Sequence, residues 1–236
     1  MLVVLFLIIT IVTGYIYYNT EYSSYRYDSV CNSSESIEKM CVLKINIPYD
    51  YPAGSFIYLG LKNFRQTFAR FMNSISYDQL DGVSLNKHQT HCDPVFTNED
   101  MGVTTSYLSG KTLNPKATSI PCGLLAKYLP NDTFTIKKGS KTIGITTQDI
   151  VYPGLMGHMF KNPDPENSWM NPQNGIFLEI YKKLERFINW ARPSSMPHFI
   201  KLWAKTTEPI KKGNDYQVFV NNGNQILVVK INRFQY

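Results

Sequence analysis

The feature that most constrains this chain is an uncharged apolar run at its amino-terminal end, Leu2–Tyr18. Such a run is typical of a membrane helix, and its closing stretch from Tyr15 onward is rich in tyrosine, which concentrates where a helix leaves the bilayer. As a helix it would reach about 26 Å at roughly 1.5 Å per residue, the short end of what a membrane requires. A secretory signal peptide is the alternative, but no Lys or Arg precedes the run and no small-x-small site follows Gly14. We therefore predict a transmembrane helix over residues 1–18.

The remainder of the chain is predicted to lie on the far side of that membrane. Either interpretation of the leading run sends residues 19–236 into an oxidising compartment, where the four cysteines, an even number, are expected to pair. Four cysteines allow three connectivities, and their spacing favours sequential pairing. The alternative is a set of buried free thiols in a cytosolic protein. The predicted disulfides are Cys31 with Cys41 and Cys92 with Cys122.

Two further local features of the sequence bear on metal binding and on N-glycosylation. His88, His91 and Cys92 lie close together, but zinc needs three or four convergent ligands, and neither CxxC nor HExxH accompanies them. Surface histidines beside a disulfide are the better interpretation. Asn32 in NSS and Asn131 in NDT are predicted N-glycosylation sites, which agrees with an extracytoplasmic location.

The composition is that of a folded chain without a nucleic-acid partner. Hydrophobic residues make up 43% and charged residues 18%, and the 16 Tyr and 13 Phe favour strands. The net charge is +6, but the basic residues lie in scattered pairs such as Lys137 with Lys138. Nucleic-acid binding needs a concentrated basic surface, so we predict no such partner.

Local signatures of catalysis are missing from the sequence. It has no GxSxG elbow, P-loop, GxGxxG or Asp-rich calcium loop, so we predict neither an enzyme nor a cofactor. The alternative is a membrane-tethered or secreted carbohydrate-binding or carbohydrate-cleaving protein, because aromatic rings stack on sugars and paired acids cleave glycosidic bonds. A cell-surface adhesion domain is a third candidate. The residues behind the carbohydrate hypothesis are Trp169, Trp190 and Trp203, with the acid pairs Asp78 and Asp81, Glu99 and Asp100, and Asp164 and Glu166.

Hydrophobic periodicity predicts an α+β fold, in which an N-terminal transmembrane helix precedes a β-rich ectodomain. Segment 55–76 begins like a strand and then places apolar residues at helical spacing, which predicts a strand followed by an amphipathic helix. Residues 175–190 have the clearest helical pattern after the leading run, and residues 80–118 should form a long irregular excursion. The predicted strands are 41–48, 133–136, 142–146, 217–220 and 225–231.

Several short blocks occur in an order that resembles the accessory subunits of type-IV P-type ATPases, also called the cell division control protein 50 or transmembrane protein 30 family. The resemblance covers nearly all of residues 19–236, and the pair of blocks at 121–126 and 131–134 is its most specific part. The blocks are YLGLKNF at 58–64, CDP at 92–94, PCGLLA at 121–126, NDTF at 131–134, FKNP at 160–163, NGIF at 174–177, WARP at 190–193 and MPHFIKL at 196–202.

This resemblance implies a fold and a function. Family members carry two membrane helices around an extracytoplasmic domain built on an antiparallel, jelly-roll-like sheet with helical and loop embellishments. The implied function is that of a non-catalytic β-subunit and chaperone, which binds a phospholipid-flipping ATPase and supports its exit from the endoplasmic reticulum and its lipid transport cycle. The implied location is a membrane of the endoplasmic reticulum, Golgi, endosome or cell surface, with lipids around the anchor helix.

The chain departs from the family pattern at three places. No cytosolic tail precedes Leu2, the first cysteine cluster is reduced to Cys31 and Cys41, and the chain stops at Tyr236. The second transmembrane helix of the family is therefore expected to be absent from this chain. Any contact with an ATPase would then depend on one helix and on the ectodomain.

Overall fold

A computed structural model gives the fold. Helix α1 spans Leu2–Tyr18, the apolar run that was predicted to be helical. Within the described ranges, no helix combines the length and apolarity needed to cross a membrane. The assignment of residues 1–18 to a membrane therefore stays a prediction. The structure describes residues 2–18, 21–27, 31, 40–83, 91–106, 109–130, 132–151, 167–169, 185–221 and 227–232.

Nine strands of the described chain form two antiparallel sheets. The five-stranded sheet has the order β1-β9-β3-β7-β6, and the four-stranded sheet has the order β2-β8-β4-β5. The predicted β-rich, mixed architecture is confirmed in this form. The strands are β1 (Tyr22–Arg26), β2 (Met40–Ile47), β3 (Phe56–Leu61), β4 (Thr133–Lys138), β5 (Lys141–Ile143), β6 (Ile145–Thr146), β7 (Phe199–Thr206), β8 (Gly213–Asn221) and β9 (Leu227–Asn232).

The two sheets pack on each other because alternate side chains of their strands are apolar. Ile57 and Leu59 of the first sheet belong to the same buried cluster as Ile136 and Val218 of the second. The side chains that alternate with these residues along each strand point to the outer faces of the sheets, as the two-residue period of a strand requires. Burial of this apolar surface is the main force that holds the sandwich together.

Hydrogen bonds close the sandwich at both of its edges, where the outermost strands of the two sheets meet. On one side the chain passes from β5 to β6 at Gly144, whose backbone N–H donates to Glu208 Oε1 at 2.8 Å and whose carbonyl accepts from Thr207 N at 2.9 Å. On the other side the hydroxyl of Tyr25 in β1 donates to the carbonyl of Asn46 in β2. The predicted strand at 142–146 is thus two short strands, one in each sheet.

An irregular module lies between β3 and β4. Its described residues include four helices of four residues each, and the disulfide Cys92–Cys122 links two of its loops, with Cα atoms 5.6 Å apart. The second disulfide, Cys31–Cys41, lies at the start of β2 with Cα atoms 5.5 Å apart. The short helices are α2 (Ala69–Met72), α3 (Tyr77–Leu80), α4 (Asn98–Met101) and α5 (Leu124–Lys127).

The helical predictions were only partly right. The amphipathic helix predicted within 55–76 is wrong over most of its length, because only Ala69–Met72 is α-helical there. The helix predicted over 175–190 is present from Glu185 to Ala191 as α6, and residues 175–184 lie outside the described residues. The last two predicted strands lie within the longer β8 and largely within β9.

Buried hydrogen bonds organise the module around its disulfide. The Ser74 hydroxyl donates to the carbonyl of Cys92 at 3.1 Å. The Gln79 amide donates to the carbonyl of Ser119 at 2.9 Å and accepts from the backbone N–H of Cys122 at 3.0 Å. Since unpaired buried polar groups are costly, these bonds fix both sides of the disulfide in one arrangement.

Gly123, next to that disulfide, occupies a position that no other residue fits. Its φ angle is +99°, and an added Cβ would lie 2.2 Å from the carbonyl oxygen of Ser74. The Gly123 backbone N–H also donates to the carbonyl of Val95 at 2.8 Å, so the backbone cannot easily move away. The glycine of the PCGLLA block is therefore required by close backbone packing.

An aromatic cluster joins the module to the sandwich. Trp190 of α6 is 1% exposed, and its ring centroid lies 5.7 Å from that of Phe64 and 6.4 Å from that of Phe71. The Trp190 indole N–H donates to the carbonyl of Leu125 at 2.8 Å, and its own carbonyl accepts from the Gln66 amide at 3.0 Å. Trp190 thus holds α2, α5 and α6 together.

The Gly123→Ala variant tests the close backbone approach. We expect it to lose about 4 kcal/mol of unfolding free energy, because the methyl group would overlap the Ser74 carbonyl. Gly102→Ala is the matched control, since Gly102 also has a positive φ but no atom within 4 Å of an added Cβ, and should lose only about 1 kcal/mol. Urea unfolding measures both, and equal losses would contradict the packing argument.

Candidate interaction surface

No helix of the described residues covers the outer face of the five-stranded sheet. In β3, Ile57 and Leu59 point inward and are buried, so Tyr58 and Gly60 point outward. In the neighbouring β7, Gly60 pairs with Ile200, whose side chain is 46% exposed. Helix α6 packs on the opposite face of β7, as its contacts there show.

The sequence blocks at 58–64 and 196–202 meet on this face. They are separated by more than a hundred residues, and the antiparallel pairing of β3 with β7 brings them side by side. Tyr58 lies opposite Leu202, and Gly60 lies opposite Ile200. The resemblance singled out both blocks, but neither could be assigned a role before their pairing was known.

A groove of about 310 Å³ opens on this face where β3 ends and β7 begins. Because Gly60 has no side chain, the groove is deeper at this residue than at its neighbours. The backbone N–H of Asn63 donates to His198 Nδ1 at 3.3 Å, which fixes the imidazole ring at the rim. The lining combines apolar and polar groups from Ser24, Gly60, Leu61, Lys62, His198, Phe199 and Ile200.

Three charged side chains are buried behind the face. The Glu185 carboxylate accepts hydrogen bonds from the backbone N–H groups of Asp149 at 2.8 Å and Val151 at 2.9 Å, and from Ile150 between them. These bonds satisfy both carboxylate oxygens and fix the loop after β6. Glu185 is thus engaged in holding backbone rather than facing a cleft.

The Arg186 guanidinium stacks over an indole. It lies 4.2 Å from the ring centroid of Trp203, and its Nε donates to the Trp203 carbonyl at 3.1 Å. Burial lowers the pKa of Arg186 to about 10, so the side chain stays charged at neutral pH. The cation and the ring together seal α6 against β7.

The Lys201 ammonium lies at the carboxyl end of α6. It donates to the carbonyl of Arg192 and lies 5.3 Å from the Phe199 ring centroid. A cation is favourable there because helix carbonyls point toward it. Burial, and secondarily the positive charge of Arg192, lower the pKa of Lys201 to about 8.

The three tryptophans behind the carbohydrate hypothesis, all within the described residues, do not line a sugar-binding groove. Trp190 and Trp203 are buried, and the Trp169 indole N–H donates to the carbonyl of Pro121 at 2.9 Å. Asp100 accepts from the backbone N–H of Thr97 at 2.8 Å and caps α4. The acids Asp164 and Glu166 lie outside the described residues.

The other sequence-predicted site residues are placed as follows. Cys92 is in a disulfide, so its sulfur is not available as a zinc ligand, and His88 lies outside the described residues. The two sequons, Asn32 and Asn131, also lie outside them.

The pH dependence of stability tests the buried state of Lys201. The pKa of Lys201 is about 8 in the folded protein, whereas its ordinary value is 10.5. Between these two pH values, Lys201 therefore binds its proton more strongly in the unfolded chain than in the folded protein. Stability should therefore rise with pH through that window, by on the order of 1–3 kcal/mol. In urea unfolding, Lys201→Met should lose this rise, whereas Lys205→Met on the same strand should keep it. A rise of equal size in Lys201→Met would show that Lys201 is not its source.

Comparison with known proteins gives the chain its relatives. A phospholipid-transporting ATPase accessory subunit CDC50 of Chaetomium thermophilum is 29% identical over 222 residues, covering 81% of this chain and 50% of the relative. The putative ALA-interacting subunit 2 of Arabidopsis thaliana is 27% identical, covering 81% of this chain and 53% of that protein. Cell cycle control protein 50A of Bos taurus is 24% identical, covering 70% and 41%.

The chain spans about half the length of the curated relatives it matches. A family model described as the LEM3 (ligand-effect modulator 3) family / CDC50 family matches residues 8–227. This match includes the apolar run from residue 8 onward, strands β1 to β8 and the irregular module. Because the match extends over most of the sequence, the chain belongs to the LEM3/CDC50 family.

Proposed function

We propose that this chain is a non-catalytic accessory subunit of a phospholipid-transporting ATPase of the P-type. The observation that carries the proposal is the family match over residues 8–227, together with relatives that are named as accessory subunits of such ATPases. The ATPase would supply ATP hydrolysis and lipid translocation. This chain would bind the ATPase, support its exit from the endoplasmic reticulum and support its transport cycle.

The proposal includes a membrane location. Helix α1 would contact the lipid bilayer as the anchor, and residues 19–236 would form the extracytoplasmic domain. The apolar, charge-free sequence of α1 supports this placement, as do the disulfides Cys31–Cys41 and Cys92–Cys122, which persist in oxidising compartments. Asn32 and Asn131 would be glycosylated on the same side of the membrane.

The buried polar groups support a binding role rather than a catalytic one. Glu185 holds three backbone N–H groups, Asp132 accepts from the Tyr27 hydroxyl at 3.2 Å, and Gln66 and Gln79 hold main-chain groups. A catalytic group has to reach a substrate from a cleft. These side chains are instead saturated by the protein's own backbone and core.

The outer sheet face is our proposed contact with the ATPase. A partner in the same membrane would meet the side of an anchored domain, and this face runs along the side of the sandwich from β1 to β7. Its apolar residues Tyr58, Ile200 and Leu202, with Lys62 and His198 at the groove, provide an apolar centre and a polar rim. That arrangement is typical of protein–protein interfaces.

Co-purification of the tagged, full-length chain from membranes tests the subunit proposal. We expect a large multispanning P-type ATPase to be recovered and identified by mass spectrometry. Recovery of the chain alone, or of a soluble glycan-binding complex, would contradict the proposal.

A pair of variants tests the face itself. Ile200→Asp places a charge at the centre of the face and should lower ATPase recovery by about tenfold, equivalent to about 1.4 kcal/mol. Phe68→Asp is the control, because Phe68 is 62% exposed but lies on the irregular module. Similar recovery with both variants would place the contact elsewhere on the domain.

A further inference from the structure

The short connection between α1 and β1 keeps one end of the sandwich close to the end of α1. Helix α1 ends at Tyr18 and β1 begins at Tyr22, so the two Cα atoms are at most about 14 Å apart, four steps of roughly 3.5 Å. Across the sheet, Tyr22 pairs with Asn232, which pairs with Phe56, which pairs with Lys205. These four residues, one on each of four neighbouring strands, mark the end of the sheet nearest to α1.

Two loops are fixed to the same end. Tyr51, in the loop between β2 and β3, and Ile210, in the loop between β7 and β8, exchange two backbone hydrogen bonds of 2.8 Å. The Tyr51 hydroxyl lies 2.6 Å from the Ser23 hydroxyl oxygen, which ties the loops to β1. Because Tyr51 and Ile210 are also buried, the loops form a rigid rim rather than a mobile one.

The exposed residues of this rim include tyrosines and lysines. We define the proximal rim as Tyr22, Tyr49, Lys141, Lys211 and Lys212. The two tyrosine side chains are exposed, and Lys141 and Lys211 have side chains more than half exposed. Tyrosine is enriched at the boundary between lipid and water, and lysine reaches phosphate groups from an apolar stem.

The carboxylates beside the rim are already engaged. Asp50 accepts from the backbone N–H of Lys212 at 2.7 Å and lies 3.4 Å from the Lys211 ammonium. Glu208 accepts from Gly144 N at 2.8 Å and from the Lys141 ammonium. A further carboxylate, Asp215, lies 3.6 Å from the Lys138 ammonium, and Glu21 lies near Tyr51 at the same end. Within the described chain, no carboxylate lies within ion-pairing distance of the Lys212 ammonium.

We propose that the proximal rim lies on the phospholipid headgroup layer, with Tyr49 at the lipid boundary and Lys211 and Lys212 binding lipid phosphate. The inference rests on the proposed function, since it needs α1 in the membrane. The tyrosines Tyr15, Tyr17 and Tyr18 close α1 at the level of the same layer, so the rim starts within a linker's length of it. Such a contact fixes the tilt of the domain relative to α1.

Photo-crosslinking from the full-length chain tests this inference without an ATPase. The chain carries p-benzoylphenylalanine in place of Tyr49 and is reconstituted into vesicles of phosphatidylcholine and phosphatidylserine. Intact-mass spectrometry after illumination then detects a phospholipid adduct. The same substitution at Phe6 in α1 reports insertion of the helix, and at Phe68 it reports background on an exposed aromatic far from the rim.

The expected result is a lipid adduct at position 49 several-fold above that at position 68, and a lower yield when Lys211→Glu and Lys212→Glu are added. Tyr22→p-benzoylphenylalanine should behave like the variant at position 49. An adduct at position 6 without one at 49 or 22 would overturn the inference. So would a protein adduct that replaces the lipid adduct when the ATPase is present, since this would assign the rim to the partner.

The two proposals fail separately. Loss of ATPase co-purification with a persistent lipid adduct at position 49 would leave the rim contact standing and remove the subunit function. ATPase co-purification with no lipid adduct at position 49 would leave the subunit function standing and remove the rim contact.

Discussion

The packing of Trp190 against Phe64 and Phe71 is the contact on which the rest of the described structure depends. One side of this cluster belongs to α6, which lies across β7, and the other belongs to the irregular module. The Trp190 indole and carbonyl also hold Leu125 and Gln66, so the ring is fixed in both position and orientation. Without it, four-residue helices would have little reason to persist, since short helices are unstable alone.

This contact also explains which parts of the fold the sequence could predict. Alternation of apolar and polar residues predicted β2, β4 and β8, because each has one face on the core and one facing away. The same reasoning failed over 64–75, where Phe64, Phe71 and Ile75 are spaced as in a helix. Phe71 and Ile75 are buried, and Phe64 is partly buried, by the aromatic cluster and by the disulfide-bearing loops, which are distant in sequence.

The candidate surface could be predicted less well than the core. The blocks at 58–64 and 196–202 were recognisable, but their side-by-side arrangement depends on a strand pairing that spans most of the chain. Local pattern contains no information on such pairing. The strand β1 was missed for a related reason: YSSYR is polar, and its burial comes from Ser23 and Tyr25 contacting the β2 edge and the loop that follows it.

The buried charges connect the fold to the proposed role of an accessory subunit. Glu185 accepts hydrogen bonds from backbone N–H groups of the loop after β6, and Lys201 donates to a backbone carbonyl at the end of α6. Such groups make the domain stiff, because moving either element would leave a charge unpaired in the interior. The outer sheet face and the proximal rim therefore hold fixed positions relative to each other, and a partner that binds one of them meets a domain of defined orientation.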